Sequence, residues 1–261
     1  MNDDELGRGP ERQSGAARPA IPIDGHPIVP VAAPGAEYFR CYGQIVTYET
    51  QGPGYGSGTL IAAGEGFGIL TCAHNLYDEA IADLVERIEF SPGRTATATP
   101  YGTISADQDM FHVPAQYLAN PDDDRYDYAV VRVDRDQVPA GIGRLVTMES
   151  VSMATQVAVQ VTGYPNNRPT HPYPTMCYSR GVTLTNPATS GVVRYNASSQ
   201  PRSSGSAVCR VLGTGTAEAP DVAHVNAIHI NGVGTGPGSP YNEAVYLTSD
   251  IIRWVAEQVN G

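Results

Sequence analysis

The chain has little that would let it cross a membrane, bind a nucleic acid or cage a metal. No run of about 18 apolar residues occurs, so no membrane-spanning helix is expected. Basic residues are scarce: 16 Lys plus Arg stand against 27 Asp plus Glu, a formal net charge of -11. Phosphate backbones are bound by clustered cations, which excludes a nucleic-acid binder. The acidity reads as solubilising surface charge. The chain has 4 cysteines, Cys41, Cys72, Cys177 and Cys209, widely spaced and without a CxxC pair. A zinc site built on close cysteine pairs is therefore not expected. The cysteines read as free thiols or one disulfide, with Cys177 and Cys209 the candidate pair. The first residues, Met1 to Arg8, lack a basic segment followed by an apolar one, so they are not a secretory leader as written. No internal repeat is visible.

Turn formers, by contrast, are plentiful, with 28 Gly and 21 Pro. They punctuate short β-prone runs, the pattern of an all-β protein. Residues 1–35, rich in Pro, Gly, Ala and charge, read as a disordered arm or pro-segment. Six strand-like runs follow, then a link around Gln137–Gly143, then six more and an amphipathic C-terminal segment. This predicts two antiparallel six-stranded β-barrels with a C-terminal α-helix packed on the second. Barrel closure removes the exposed edges that so many strands would carry. The first unit spans 36–136 and the second 144–261. Asn75–Glu86 has helical spacing, with Leu76, Ala80 and Leu84 on one face, and is expected to be a short helix. Ser249 is the expected cap of the terminal helix, whose stripe is Ile251, Ile252, Val255 and Val259.

Three motifs stand in order. His74 ends the run Leu70-Thr71-Cys72-Ala73-His74. Asp127 opens Asp127-Tyr128-Ala129-Val130-Val131. Ser204 lies in Ser203-Ser204-Gly205-Ser206-Ala207. Alone, each has a bland reading: a satisfied histidine, a strand-opening aspartate, a polar turn. Together, in an all-β chain, they spell His…Asp…Ser, the order of a serine-nucleophile triad built on two barrels. A serine hydroxyl needs a base to attack at neutral pH. His74 would take the proton, and Asp127 would hold the imidazole. Asp122-Asp123-Asp124 reads as a solvated loop, because a calcium cage needs about six or more oxygens. The loop Gly232–Gly238 follows a strand without opening a helix, so it is not a phosphate cradle. No cofactor or metal is called for.

These residues resemble the chymotrypsin-fold serine peptidases, and within them the V8-like glutamyl endopeptidase branch. The likeness runs from about Gln44 to Val259. It includes Ser57-Gly58-Thr59-Leu60-Ile61, Val161-Thr162-Gly163-Tyr164-Pro165 and Ile228-His229-Ile230-Asn231-Gly232. It implies a serine endopeptidase acting through an acyl-enzyme on peptides or proteins, working as a monomer. The family's habit is secretion after removal of a leader; the chain as written would be cytoplasmic. The resemblance puts the oxyanion hole at the backbone N–H groups of Arg202 and Ser204. It assigns the pocket for P1, the residue whose carbonyl is attacked, to Ser199, His229, Asn231 and Gly232. It implies preference for Glu, then Asp, at P1. Four departures stand out: Arg202 replaces a glycine two residues before the nucleophile, Ser203 the usual Asp or Asn before the serine, Ala207 the proline after Ser-Gly-Ser, and Asn75 a disulfide cysteine after the histidine. Arg202 motivates the alternative reading, a catalytically impaired domain that binds peptides or proteins.

Overall fold

The computed structural model describes residues 22–142, 145–166, 171–187, 190–212, 224–233 and 238–261. Its framework is two antiparallel sheets. In the first, the strand order is Ile104–Asp107, Arg87–Pro92, Tyr42–Glu49, Gly52–Ala63, Gly66–Thr71, Ala129–Val133 and Phe111–His112. In the second it is Val29–Pro30, Cys177–Val182, Ala158–Gly163, Ala207–Arg210, Ala227–Val233, Tyr241–Tyr246 and Val192–Tyr195. Each sheet therefore holds the six strands expected and one two-residue edge strand more. Runs this short carry no alternation that a sequence can reveal.

Residues alternate inward along the first sheet. Ile45, Leu60, Ile69, Ile88, Phe90, Ala129 and Val131 form its core. Val159, Val161, Val193, Tyr195, Val208 and Ala244 form a second core. A third cluster lies where the sheets meet and joins Ile61, Leu70 and Val130 to Ala207, Ile228 and Val245. Burial of each such aliphatic side chain contributes about 1.5–3 kcal/mol.

Four expectations are corrected. First, the arm does not extend to residue 35. Val29 and Pro30 pair with Tyr178 and Cys177, and Val31 is buried. Ile23 exchanges two bonds with Ser198 Oγ, at 2.7 and 3.1 Å. Residues 1–21 lie outside the described residues. Second, Asn75–Glu86 is not a helix. A 3-10 turn at Ala73–Asn75 leads into a small hairpin pairing Tyr77–Asp78 with Asp83–Leu84. Asp78 accepts from the N–H groups of Thr50 and Ala80. Such side-chain bonds to backbone compete with a helix.

Third, the C-terminal helix, Ser249–Asn260, packs on the first sheet, against strands Gly52–Ala63, Gly66–Thr71 and Ala129–Val133. Gly66 and Gly68 make the room: a Cβ there would meet Val259 at 2.3 and 2.9 Å. The cap is Thr248, which accepts from the N–H of Ile251 at 3.2 Å, one residue before the cap expected. Fourth, of the two open readings of the cysteines the free thiols hold and the candidate Cys177–Cys209 bridge does not: all four are free and buried. Cys209 Sγ lies 3.6 Å from the Tyr42 hydroxyl.

Candidate active site

His74 sits in the 3-10 turn that ends strand Gly66–Thr71, and Asp127 follows a 3-10 turn at Asp124–Tyr126. The acidic run builds that second turn. Asp123 accepts from the Arg125 N–H at 3.2 Å and pairs with its guanidinium at 2.6 Å. Asp127 then holds His74 twice. Its Oδ1 accepts the backbone N–H of His74 at 2.9 Å, and its Oδ2 lies 2.6 Å from Nδ1. Asp127 is buried, while His74 keeps part of its side chain in solvent. Burial presses the His74 pKa down. The Asp127 charge and bond override it and hold the pKa well above the usual histidine value.

The other edge of the ring, Nε2, faces Cys72 Sγ at 3.5 Å. Burial pushes the Cys72 thiol up, so it stays protonated. Cys72, His74 and Asp127 bring a sulfur, a ring nitrogen and a carboxylate oxygen within 4.8 Å of one another. The Asp127–Nδ1 pair at 2.6 Å leaves no space for an ion between those two atoms.

Two residues tie the Ser204 backbone to the first sheet, one of them the residue following His74. The Ser57 N–H and Asn75 Nδ2 both donate to the Ser204 carbonyl, at 2.8 and 3.0 Å. Asn75 Nδ2 also reaches Thr71 Oγ1 at 2.9 Å. Ser57 Oγ donates to the Arg202 carbonyl at 3.1 Å and accepts the Tyr164 N–H at 2.8 Å. The sequence marked Asn75 as a missing cysteine and the start of an expected helix, and gave Ser57 no role of its own. Neither carries a motif of its own; both act by facing the other sheet.

A complete account of the 200–206 turn leaves two donors over. The Gln200 N–H goes to Ser203 Oγ, and those of Ser203, Gly205 and Ser206 go to the carbonyls of Gln200, His229 and Ser203. Pro201 has no N–H. Among the described residues, the N–H groups of Arg202 and Ser204 have no acceptor. Arg202 holds a φ of +76°. That left-handed conformation costs a non-glycine residue roughly 1–2 kcal/mol. Its guanidinium lies 4.4 Å from the ring centroids of both Tyr55 and Tyr173. Each cation–π contact contributes about 0.5–2 kcal/mol, enough to offset the strain.

The four expected pocket residues fall on or beside the second sheet. His229, on strand Ala227–Val233, is fully buried, with Nδ1 2.6 Å from the Tyr195 hydroxyl. Its Nε2 has no partner among the described residues. Burial, then the charge of His74, pushes its pKa down to about 3, so the ring is neutral. Ser199 is buried and donates to Asn242 Oδ1 at 2.7 Å, so its proton is already used. Asn231 Nδ2 reaches Asp124 Oδ1 at 3.3 Å. Gly232 pairs with Asn242 across the ladder, and a register shift lies between His229 and Asn231.

Comparison with known proteins places the family and the fold. The family model of the trypsin-like peptidase domain matches residues 56–214. No curated protein sequence matches the chain. Among solved structures, a Glu endopeptidase in complex with MPD superposes with a TM-score of 0.71 at 19% identity, covering 92% of this chain and 99% of that one. The protease Anisep from Arthrobacter nicotinovorans gives 0.68 at 18% identity, covering 85% and 96%. A thermostable serine protease, AL20, from an extremophilic microorganism gives 0.69 at 16%, covering 86% and 99%. The family match spans more than half of the sequence and holds both His74 and Ser204, so the chain belongs to the trypsin-like peptidases and is a serine endopeptidase.

Proposed function

We propose that Ser204 is the nucleophile, His74 the general base and Asp127 its orienting partner, and that the enzyme prefers Glu at P1. The observation that carries the catalytic part is the pattern of unpaired N–H groups. Only Arg202 and Ser204 keep donors free in a turn otherwise fully bonded, and the Ser204 carbonyl is tied to the residue following His74. His74 Nε2 takes the proton as Ser204 Oγ attacks the substrate carbonyl carbon. The carbonyl electron pair moves onto oxygen, where the two N–H groups meet it. Collapse breaks the C–N bond, and His74 returns the proton to the departing amine. Water, activated by the same base, then frees the acid and restores Ser204. The left-handed φ of Arg202 is the conformation a glycine would take, so its side chain does not by itself disable the turn. The binding-domain alternative is not favoured.

The P1 preference rests on His229. In the tautomer where the Tyr195 hydroxyl donates to Nδ1, the neutral ring carries its proton on Nε2, a buried donor without an acceptor among the described residues. A carboxylate would satisfy it with a charge-assisted bond. The Glu specificity in the name of the superposed endopeptidase agrees with this reading. Ser199 would have to turn its proton away from Asn242 to join. The test is a set of matched peptides with Glu, Gln, Asp or Phe at P1, cut by the wild type, His229→Ala and Ser204→Ala. Glu should exceed Gln by at least ~100-fold in kcat/KM, and His229→Ala should erase most of the gap. Equal rates on Glu, Gln and Phe would remove the glutamyl assignment. Near-normal turnover in Ser204→Ala would remove the nucleophile.

A further inference from the structure

Arg202 is held at both ends by the first sheet. Its carbonyl accepts from Ser57 Oγ at 3.1 Å. Its guanidinium lies between Tyr55, on strand Gly52–Ala63, and Tyr173, 4.4 Å from each ring. The rings meet edge to face, 5.7 Å between centroids. The Tyr173 hydroxyl accepts from Gln44 Nε2 at 2.5 Å, and Gln44 is a buried residue of strand Tyr42–Glu49. Among the described residues, no carboxylate forms an ion pair with Arg202. The two rings, together with a hydrogen bond from the guanidinium to the Tyr173 hydroxyl, are therefore what fixes its side chain. A planar guanidinium suits this, since it can stack on aromatic faces.

The backbone of the same residue is the strained element of the nucleophile turn. Glycine would hold φ at +76° without help; arginine needs something to keep it there. The Arg202 N–H moves with that φ.

We propose that Tyr55 and Tyr173 are positioning residues that act through Arg202. By clamping its guanidinium they keep its backbone left-handed and its N–H aimed at the oxygen that becomes negative in the transition state. The inference rests on the oxyanion-hole reading given above, which has its own test. Sulfur accepts hydrogen bonds poorly, so a working hole favours an oxygen ester over its thionoester. The wild type should hydrolyse the ester at least ~100-fold faster, the scale of losing one hole donor. Equal rates would overturn the hole assignment, and the clamp with it.

The clamp is tested by Tyr55→Ala, Tyr173→Ala and the double variant, each in the Arg202 and Arg202→Gly backgrounds. Melting curves establish that each variant is folded. With Arg202 present, the double variant should lose roughly tenfold to a hundredfold in kcat, with KM within about twofold, and its ester-to-thionoester ratio should fall. Phenylalanine at position 55 keeps the ring and should restore kcat; at position 173 it keeps the ring but loses the hydroxyl's bonds to Arg202 and Gln44, so recovery there should be partial. In the Arg202→Gly background the tyrosine changes should have no further effect on kcat, because glycine needs no clamp. A kcat loss equal in both backgrounds would overturn the proposal, as would unchanged kcat and ratio with Arg202 present. Either result, beside a large wild-type ratio, leaves the hole standing and removes the clamp. If the double variant fails to fold, the single variants read the same two comparisons.

Discussion

Replacing Asn75 with alanine should loosen the join between the proposed base and nucleophile. The Asn75 amide makes two bonds, a buried one to Thr71 Oγ1 at 2.9 Å and a half-buried one to the Ser204 carbonyl at 3.0 Å. Neither acceptor is orphaned by the change, since Ser204 still accepts from the Ser57 N–H and Thr71 still donates to the Ser57 carbonyl. The loss is then the net worth of two hydrogen bonds, about 0.5–1.5 kcal/mol each, or roughly 1–3 kcal/mol together. Little can refill the space. A Cβ on Gly56 would come within 2.4 Å of Asn75 Nδ2, so the amide is seated against bare backbone. For a chain of this size the melting temperature should fall by roughly 3–10 °C. Turnover should fall about tenfold with KM little changed, because a small displacement of Ser204 from His74 spoils attack geometry. The assay is urea unfolding in a Ser204→Ala background, which prevents self-digestion, beside kcat measured in the active enzyme. Asn75→Asp is the sharper variant. It sets a carboxylate oxygen against the Ser204 carbonyl and should be worse than alanine on both counts. A stability loss under about 0.5 kcal/mol with unchanged kcat, or an aspartate variant as stable as the wild type, would refute the reasoning.

Two further outcomes are expected. Only neutral His74 can accept a proton, and Asp127 holds its pKa above the ordinary value, so kcat/KM should rise with pH to a midpoint above ~6.5. Asp127→Asn should move that midpoint down; a profile flat to about pH 4 would exclude a histidine base. The same raised pKa stabilises the fold fully below about pH 6.5, and the contribution is lost as pH climbs through the folded value. The Ser204→Ala protein should therefore melt lower at pH 9 than at pH 6, and this difference should shrink in the double variant with Asp127→Asn. Removing residues 1–21 should leave the melting temperature within a degree or two. Removing residues 1–35 takes away the Val29–Pro30 ladder, buried Val31 and the Ile23–Ser198 bonds. Burial of Val31 alone is worth about 1.5–3 kcal/mol, so this truncation should lower the melting temperature by several degrees. Equal melting of the two truncations would contradict the docking of residues 23–31.

The sequence by itself determined the strands, the His74, Asp127 and Ser204 motifs and their order, because each is local. Strand alternation and the Ser-Gly turn are written in a few neighbouring residues. The apolar stripe Ile251, Ile252, Val255 and Val259 likewise foretold a terminal helix. It did not say which sheet the helix meets, since an apolar face packs wherever backbone comes close; Gly66 and Gly68 decide that. Helical spacing over Asn75–Glu86 misled, because Asp78 bonds to Thr50, 28 residues away, and fixes a hairpin. Residues 22–35 looked like an arm because two paired residues have no period to display.

Tertiary structure alone decided the rest of the site. Ser57, Asn75, Tyr55 and Tyr195 each act on a residue more than 30 positions distant, and Tyr173 acts on one 29 positions away. A hydrogen bond or ring contact of that reach depends on how two sheets face each other. Arg202 shows the division most directly. The sequence marked it as a departure from glycine. Only the fold shows two tyrosines, one from each side of the contact, holding an arginine in a conformation it would not choose alone.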